Sequence, residues 1–221
     1  MEFQEFPKMA RLTREVVITE KIDGTNAQVV IELTEHIADW TGSAATPWIK
    51  RVTTEAGDFG IAAGSRQRYI TPHADNFAFA AFVRDNAEAL IALGPGRHFG
   101  EWWGSGIQRG YGLQKGEKRF SLFNVSRWHE GGAEPYVSVS GDPRIAPKES
   151  TIAPACCRVV PIIYRGLFHE MKADHMLERL RASGSFAAPG FMNPEGVVVF
   201  HTASGTFFKK TLEKDEQPKS M

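Results

Sequence analysis

The stretch EKIDGTN, residues 20–26, sets Lys21 two positions before Asp23 and three before Gly24, where the β-branched run VVIT ends. One reading is a strand-ending turn, in which Asp23-Gly24 supplies the backbone freedom and Lys21 is solvated. The other is a nucleophile. A lysine amine attacks electrophiles only when uncharged, a form that burial and neighbouring cations favour. The segment alone leaves both readings open, and the residues downstream must decide.

Four later stretches carry further candidates. FGEWWGSGIQRGYG spans 99–112 and contains Glu101; KRFSLFNV spans 118–125 and contains Phe120 and Phe123. PEGVVVF spans 194–200 and contains Glu195, and FFKKTLEKD spans 207–215 with Lys209 and Lys210. Arg66 and Arg68 lie in a basic SRQR segment. No histidine pairs with an acid at metal-ligand spacing, and the adjacent Cys156 and Cys157 fit neither a zinc site nor an internal disulfide.

Elements that could position these residues follow from periodicity. Residues 15–20 and 27–33 read as two strands joined by the DGTN turn. The spacing of Phe79, Phe82, Val83, Ala87, Leu90 and Ile91 predicts a helix over 73–93, stopped by Gly94-Pro95-Gly96. Strands are expected over 97–103, 120–128 and 158–167, a loop excursion over 131–154, and a short helix over 174–182 closed by Gly184. A hairpin over 197–212 turns at Ala203-Ser204-Gly205. Strands dominate with two helices between them, which argues an α+β fold with antiparallel sheets. Trp40, Trp48 and Trp128 are read as core or loop packing, and the two cysteines as buried.

Composition bounds the partners. The chain has 221 residues, 42% hydrophobic and 24% charged, with zero formal net charge. It is not a polycationic coat, so contact with nucleic acid would use local Lys and Arg clusters. No apolar run of about 18 residues appears, and the N-terminus shows no secretory pattern, so a cytoplasmic protein without membrane contact is expected.

The five stretches, in this order, resemble the covalent nucleotidyltransferases, and within them the phage-type ATP-dependent RNA ligases that seal nicks. The resemblance runs from near residue 6 to residue 215. It implies a single nucleotidyltransferase domain over 1–221, an ATP-grasp-like ligase fold of antiparallel sheets flanked by helices. It implies that Lys21 attacks the α-phosphate of ATP to give lysyl-AMP, with Lys209 and Lys210 as supporting cations. Asp23 would orient the ribose or the nucleophile, Gly24 would let the nucleotide approach the backbone, and Asn26 would reach the nucleotide or the RNA end. Glu101 would accept from a ribose hydroxyl, Phe123 would stack on adenine and Arg66 would clamp a phosphate, with Arg68 the competitor. Glu195 would bind Mg²⁺, with Mn²⁺ as an alternative; Glu20 and the FPK at 6–8 match flanking elements, and Glu20 is counted with the residues that contact the nucleotide. The implied partner is RNA with 5′-phosphate and 3′-hydroxyl ends, with room for a partner protein supplying end recognition. Other readings are a DNA ligase, a capping-type enzyme or a non-catalytic binding module.

Two departures from the family pattern stand out. Its last motif usually separates two lysines by one residue, whereas Lys209 and Lys210 are adjacent and should point to opposite faces of a strand. Lys209 is favoured as the one at the nucleotide. Eleven residues follow Lys210, so no C-terminal OB-fold is expected in this sequence.

Overall fold

A computed structural model of the protein describes residues 2–36, 46–131, 149–213 and 215. In chain order the elements are β1 (Glu15–Lys21), β2 (Thr25–Leu33), β3 (Trp48–Thr54), β4 (Gly57–Ser65) and β5 (Tyr69–Ile70). Next come α1 (Phe79–Asp85), α2 (Ala87–Leu90), β6 (Gly96–Gly104), β7 (Lys118–Leu122), β8 (Trp128–His129) and β9 (Thr151–Ile152). The chain ends with β10 (Cys157–Val159), β11 (Ile162–Leu167), α3 (Lys172–Ser183), β12 (Gly196–His201) and β13 (Thr206–Thr211). The architecture is mixed, with mainly antiparallel sheets and few helices. No helix is long and apolar enough to cross a membrane among the described residues.

The chain divides into two compact units, with boundaries at Lys21/Ile22 and Val160/Pro161. The first holds a four-stranded antiparallel sheet in the order β11-β1-β12-β13. Strand β1 alternates: Val16 and Ile18 on one face pack with Val197, Val199 and Tyr164 against Leu177 and Leu180 of α3. Gly184 closes that helix at φ 76°, as expected from the sequence. Strand β13 is an open edge whose exposed Lys209 and half-buried Lys210 oppose pairing with other chains.

The second unit is built on a larger sheet, in the order β10-β7-β6-β2-β4-β3 with β5 on β4. One face, through Val29, Ile31, Ile61, Ala63 and Phe120, forms the core with Phe79, Val83 and Leu90 of α1 and α2. Phe79 lies with its ring centroid 5.0 Å from Phe120 and 5.3 Å from Trp102. The opposite face of this sheet carries the polar candidates.

Several expectations need correction. β1 and β2 do not pair as a hairpin, because the DGTN segment carries the chain from one sheet to the other. The helix begins at Phe79 instead of residue 73: Phe77 and Ala78 take left-handed backbone (φ 51° and 65°). The Asp75 carboxylate caps it, accepting from the amides of Ala80 (2.7 Å) and Ala81 (3.0 Å). It breaks at Asn86, so the apolar face runs over two short helices. The strand expected over 120–128 ends at Leu122. The run 158–167 splits at Pro161, which cannot donate to a ladder, into β10 and β11 in different sheets. Most of the loop excursion, and Trp40, lie outside the described residues. Trp128 and Cys157 are buried, Trp48 and Cys156 half-buried, and both cysteines are free.

Candidate functional site

Lys21 is the last residue of β1, on the sheet face away from α3. Its ammonium donates to Glu195 Oε2 at 2.5 Å, and its side chain retains 21% of its accessible surface. The expected cationic neighbours are therefore not what its nitrogen meets; the Glu195 carboxylate is. The Leu212 amide donates to the Glu195 carbonyl at 2.9 Å, which fixes the residue just before β12.

Register separates the two adjacent lysines. Lys209 pairs with Val198, which pairs with Thr19, so Lys209 shares the face of Lys21. Lys210 pairs with the buried Val197 on the α3 face, and its ammonium donates to Asp174 at 2.5 Å. That carboxylate holds Lys210 above the ordinary lysine value, so it stays charged. Lys209 is exposed, with no ion-pair partner among the described residues.

Glu20 faces α3's side of the sheet and is 1% exposed. Its carboxylate accepts from Ser185 Oγ (2.6 Å) and from the amides of Phe186 (2.8 Å) and Ala187 (2.9 Å). Its side chain is thus committed to the loop after α3, an occupation different from the nucleotide contact expected. Burial raises its carboxyl above the ordinary 4.5, against the downward pull of those three bonds. Glu20→Ala removes the acceptor shared by Ser185 and the Phe186 and Ala187 amides and is expected to cost about 2–5 kcal/mol, read by denaturant unfolding. The folded protein holds the Glu20 proton more tightly than the unfolded chain does. This residue's contribution to stability is therefore greatest below pH 4.5 and falls as pH rises through 4.5 to the raised value. Glu20→Gln should remove that slope.

In the second unit, the residues after Lys21 are held by two side chains that sequence reasoning did not single out. The Asp23 amide donates to Tyr111 Oη at 2.8 Å, and Arg109 Nε donates to Asp23 Oδ2 at 3.0 Å. Both belong to GSGIQRGYG, where Gln108 and Tyr111 adopt φ 44° and 52°. Tyr111 packs edge-on to Trp103, with centroids 5.1 Å apart. That stretch was conspicuous, but nothing local marked Arg109 as the partner of an acid 86 positions away.

Glu101 lies within β6, between β2 and β7 of the larger sheet, and is 8% exposed. Its oxygens accept from the Gly24 amide (3.1 Å) and Asn26 Nδ2 (3.0 Å). A Cβ at Gly24 would sit 2.5 Å from the Trp102 carbonyl oxygen, so glycine is required there by the approach of β6. Phe120 is fully buried, whereas Phe123 is 38% exposed. Arg66 is exposed and unpaired among the described residues; Arg68 donates to the carbonyls of Tyr69 and Ala74 and so ties down its own loop.

Glu195 is the one candidate metal ligand, and no group of three or more His, Cys, Asp or Glu could hold an ion among the described residues. A lone carboxylate suits a hard cation that keeps most of its waters and substrate phosphates, as Mg²⁺ does, and not a resident structural metal.

Lys21 thus ends one strand of an antiparallel sheet and is ion-paired to the acid that immediately precedes the neighbouring strand, within a mixed fold of mainly antiparallel sheets. The chain belongs to the RNA ligase family, whose model matches residues 14–211. No curated protein matches it. Among solved structures it is similar to a Naegleria gruberi RNA ligase variant with ATP and Mn, at 18% identity and TM-score 0.50, over 93% of this chain and 52% of that one. A variant of the same ligase with AMP and Mn gives 18% identity and TM-score 0.49, over 90% and 50%. The chain thus spans about half the length of those ligases. The first likeness bears on the fold alone.

Proposed function

We propose that the protein is an ATP-dependent RNA ligase in which Lys21 carries the adenylate. The Lys21 ammonium first gives up a proton; its nitrogen then attacks the α-phosphorus of ATP, the P–N bond forms, the α–β phosphoanhydride breaks, pyrophosphate leaves and the nitrogen loses a second proton to give the phosphoramide. A 5′-phosphate oxygen of RNA then attacks that phosphorus, restoring the amine and giving an adenylylated RNA end. Finally a 3′-hydroxyl attacks the RNA 5′-phosphate, loses its proton and releases AMP. The observation that carries the reading is the Lys21–Glu195 pair at 2.5 Å, inside the span matched by the family.

The other residues take roles consistent with their surroundings. Lys209 shares the Lys21 face and can neutralise charge on the α-phosphate. Asp23, fixed by Arg109 and Tyr111, sets the path of the backbone after the nucleophile. Glu101 takes a ribose hydroxyl with Asn26 and Gly24 beside it, Phe123 offers a face to adenine and Arg66 grips a phosphate. A divalent cation, Mg²⁺ or Mn²⁺, would be held by ATP phosphates, water and Glu195, and would offset the phosphates' negative charge. Residues 1–221 are taken as a single nucleotidyltransferase domain. With ATP, Mg²⁺ and RNA bearing 5′-phosphate and 3′-hydroxyl ends, a joined strand is expected on a denaturing gel. Joining of DNA but not RNA, or labelling by GTP but not ATP, would contradict the assignment.

A further inference from the structure

A row of side chains crosses the polar face of the larger sheet. Phe99 on β6 pairs with Gln28 on β2, Gln28 with Gly64 on β4, and Gly64 with Tyr69 on β5, so all four share one face. Phe123 extends the row, its amide donating to the Phe99 carbonyl at 3.0 Å. Phe99 is 52% and Tyr69 41% exposed, unusual for large rings on a sheet whose other face is a dry core. Gly64 keeps the middle of the row low, since a Cβ there would lie 2.7 Å from Gln28 Cγ.

Polar contacts hold the row in place. Gln28 Nε2 donates to the Ser65 carbonyl (3.2 Å), and Arg97 donates to Gln28 Oε1 (3.3 Å) and Tyr69 Oη (3.0 Å). Arg97, Arg66 and Arg68 are exposed around it, while the acids on this face of β2 and β6 are Glu32 and Glu101, the latter already engaged.

We propose that the row Phe99–Gln28–Tyr69, bordered by Arg97, is a platform on which unpaired bases of the RNA substrate stack. Phe99, Gln28, Tyr69 and Arg97 are not among the residues assigned to AMP, although the row ends beside Phe123, the adenine contact. Exposed rings on a sheet, with guanidinium groups beside them, suit flat bases and their phosphates and demand no particular sequence. With strands ~4.8 Å apart, Phe99 and Tyr69 stand about 14 Å from each other, room for two or three bases. Gln28, between the rings, offers an amide to a base edge. The choice of RNA rests on the ligase reading; the stacking itself does not.

The test is fluorescence anisotropy with a 5′-phosphorylated oligouridylate of about twelve nucleotides and, in parallel, a fully paired RNA duplex. Phe99→Ala and Tyr69→Ala are expected to weaken single-strand binding about five- to tenfold each, and the double variant about thirtyfold or more, with duplex binding little changed. Phe99→Tyr should retain affinity, and Arg97→Ala should reduce the salt dependence by about one counterion. All variants should still take label from α-labelled ATP at the wild-type rate. Wild-type single-strand affinity in a double variant that still self-labels, or an equal loss on duplex, would overturn the platform. A wild-type chain that takes no label would count against Lys21 chemistry alone, because the anisotropy decides the platform independently.

Discussion

Lys21→Ala is expected to abolish transfer of label from α-labelled ATP to the protein, a loss of at least about a thousandfold. Among the described residues, no other lysine sits at a strand end against the Glu195 carboxylate. Lys21→Arg should fail equally, since a guanidinium does not shed its proton in proteins. Removing the amine leaves the buried Glu195 carboxylate without its ion-pair partner, which should lower stability by about 3 kcal/mol. The variant should nonetheless fold. It should also still seal RNA supplied with a pre-adenylylated 5′ end, because the last step makes no use of the amine. Loss of that activity together with the label would point to a damaged fold.

The second large effect separates two neighbouring residues. Lys209→Ala is expected to slow self-labelling by about a hundredfold or more, the scale of removing one charge aimed at a developing phosphate anion. Lys210→Ala should change it by no more than a few-fold, because that ammonium is turned to Asp174 on the α3 face. Side chains alternate along β13, and no bulge interrupts its pairing with β12 from Gly196–Thr211 to His201–Thr206. Equal effects from both substitutions, measured as initial labelling rates, would contradict this division of faces.

The parts legible in the sequence are those that depend on short-range pattern. The alternation of EVVITEK, the helix before Gly184 and the hairpin around Ala203-Ser204-Gly205 all appear where periodicity and turn residues placed them. So does the divergence of Lys209 and Lys210, which follows from a period of two. What escaped notice depends on long-range pairing. DGTN has the composition of a hairpin turn, yet the strands it joins find partners elsewhere: β1 pairs with strands near residues 165 and 200, and β2 with β4 and β6. Glu20 finds its donors 165 to 167 positions away and Asp23 its arginine 86 away. The helix pattern over 73–93 was sound in its buried face, but the left-handed Phe77 and Ala78 and the break at Asn86 are set by packing against the sheet, which periodicity does not report.

The most direct measurement is intact-mass spectrometry of the protein after incubation with ATP and a divalent cation, followed by peptide mapping. One AMP should be added per chain, lost in acid and retained in mild base as a phosphoramide, and it should map to the peptide containing Lys21. An adduct on a different lysine, or an unmodified mass under conditions where RNA is joined, would contradict the account.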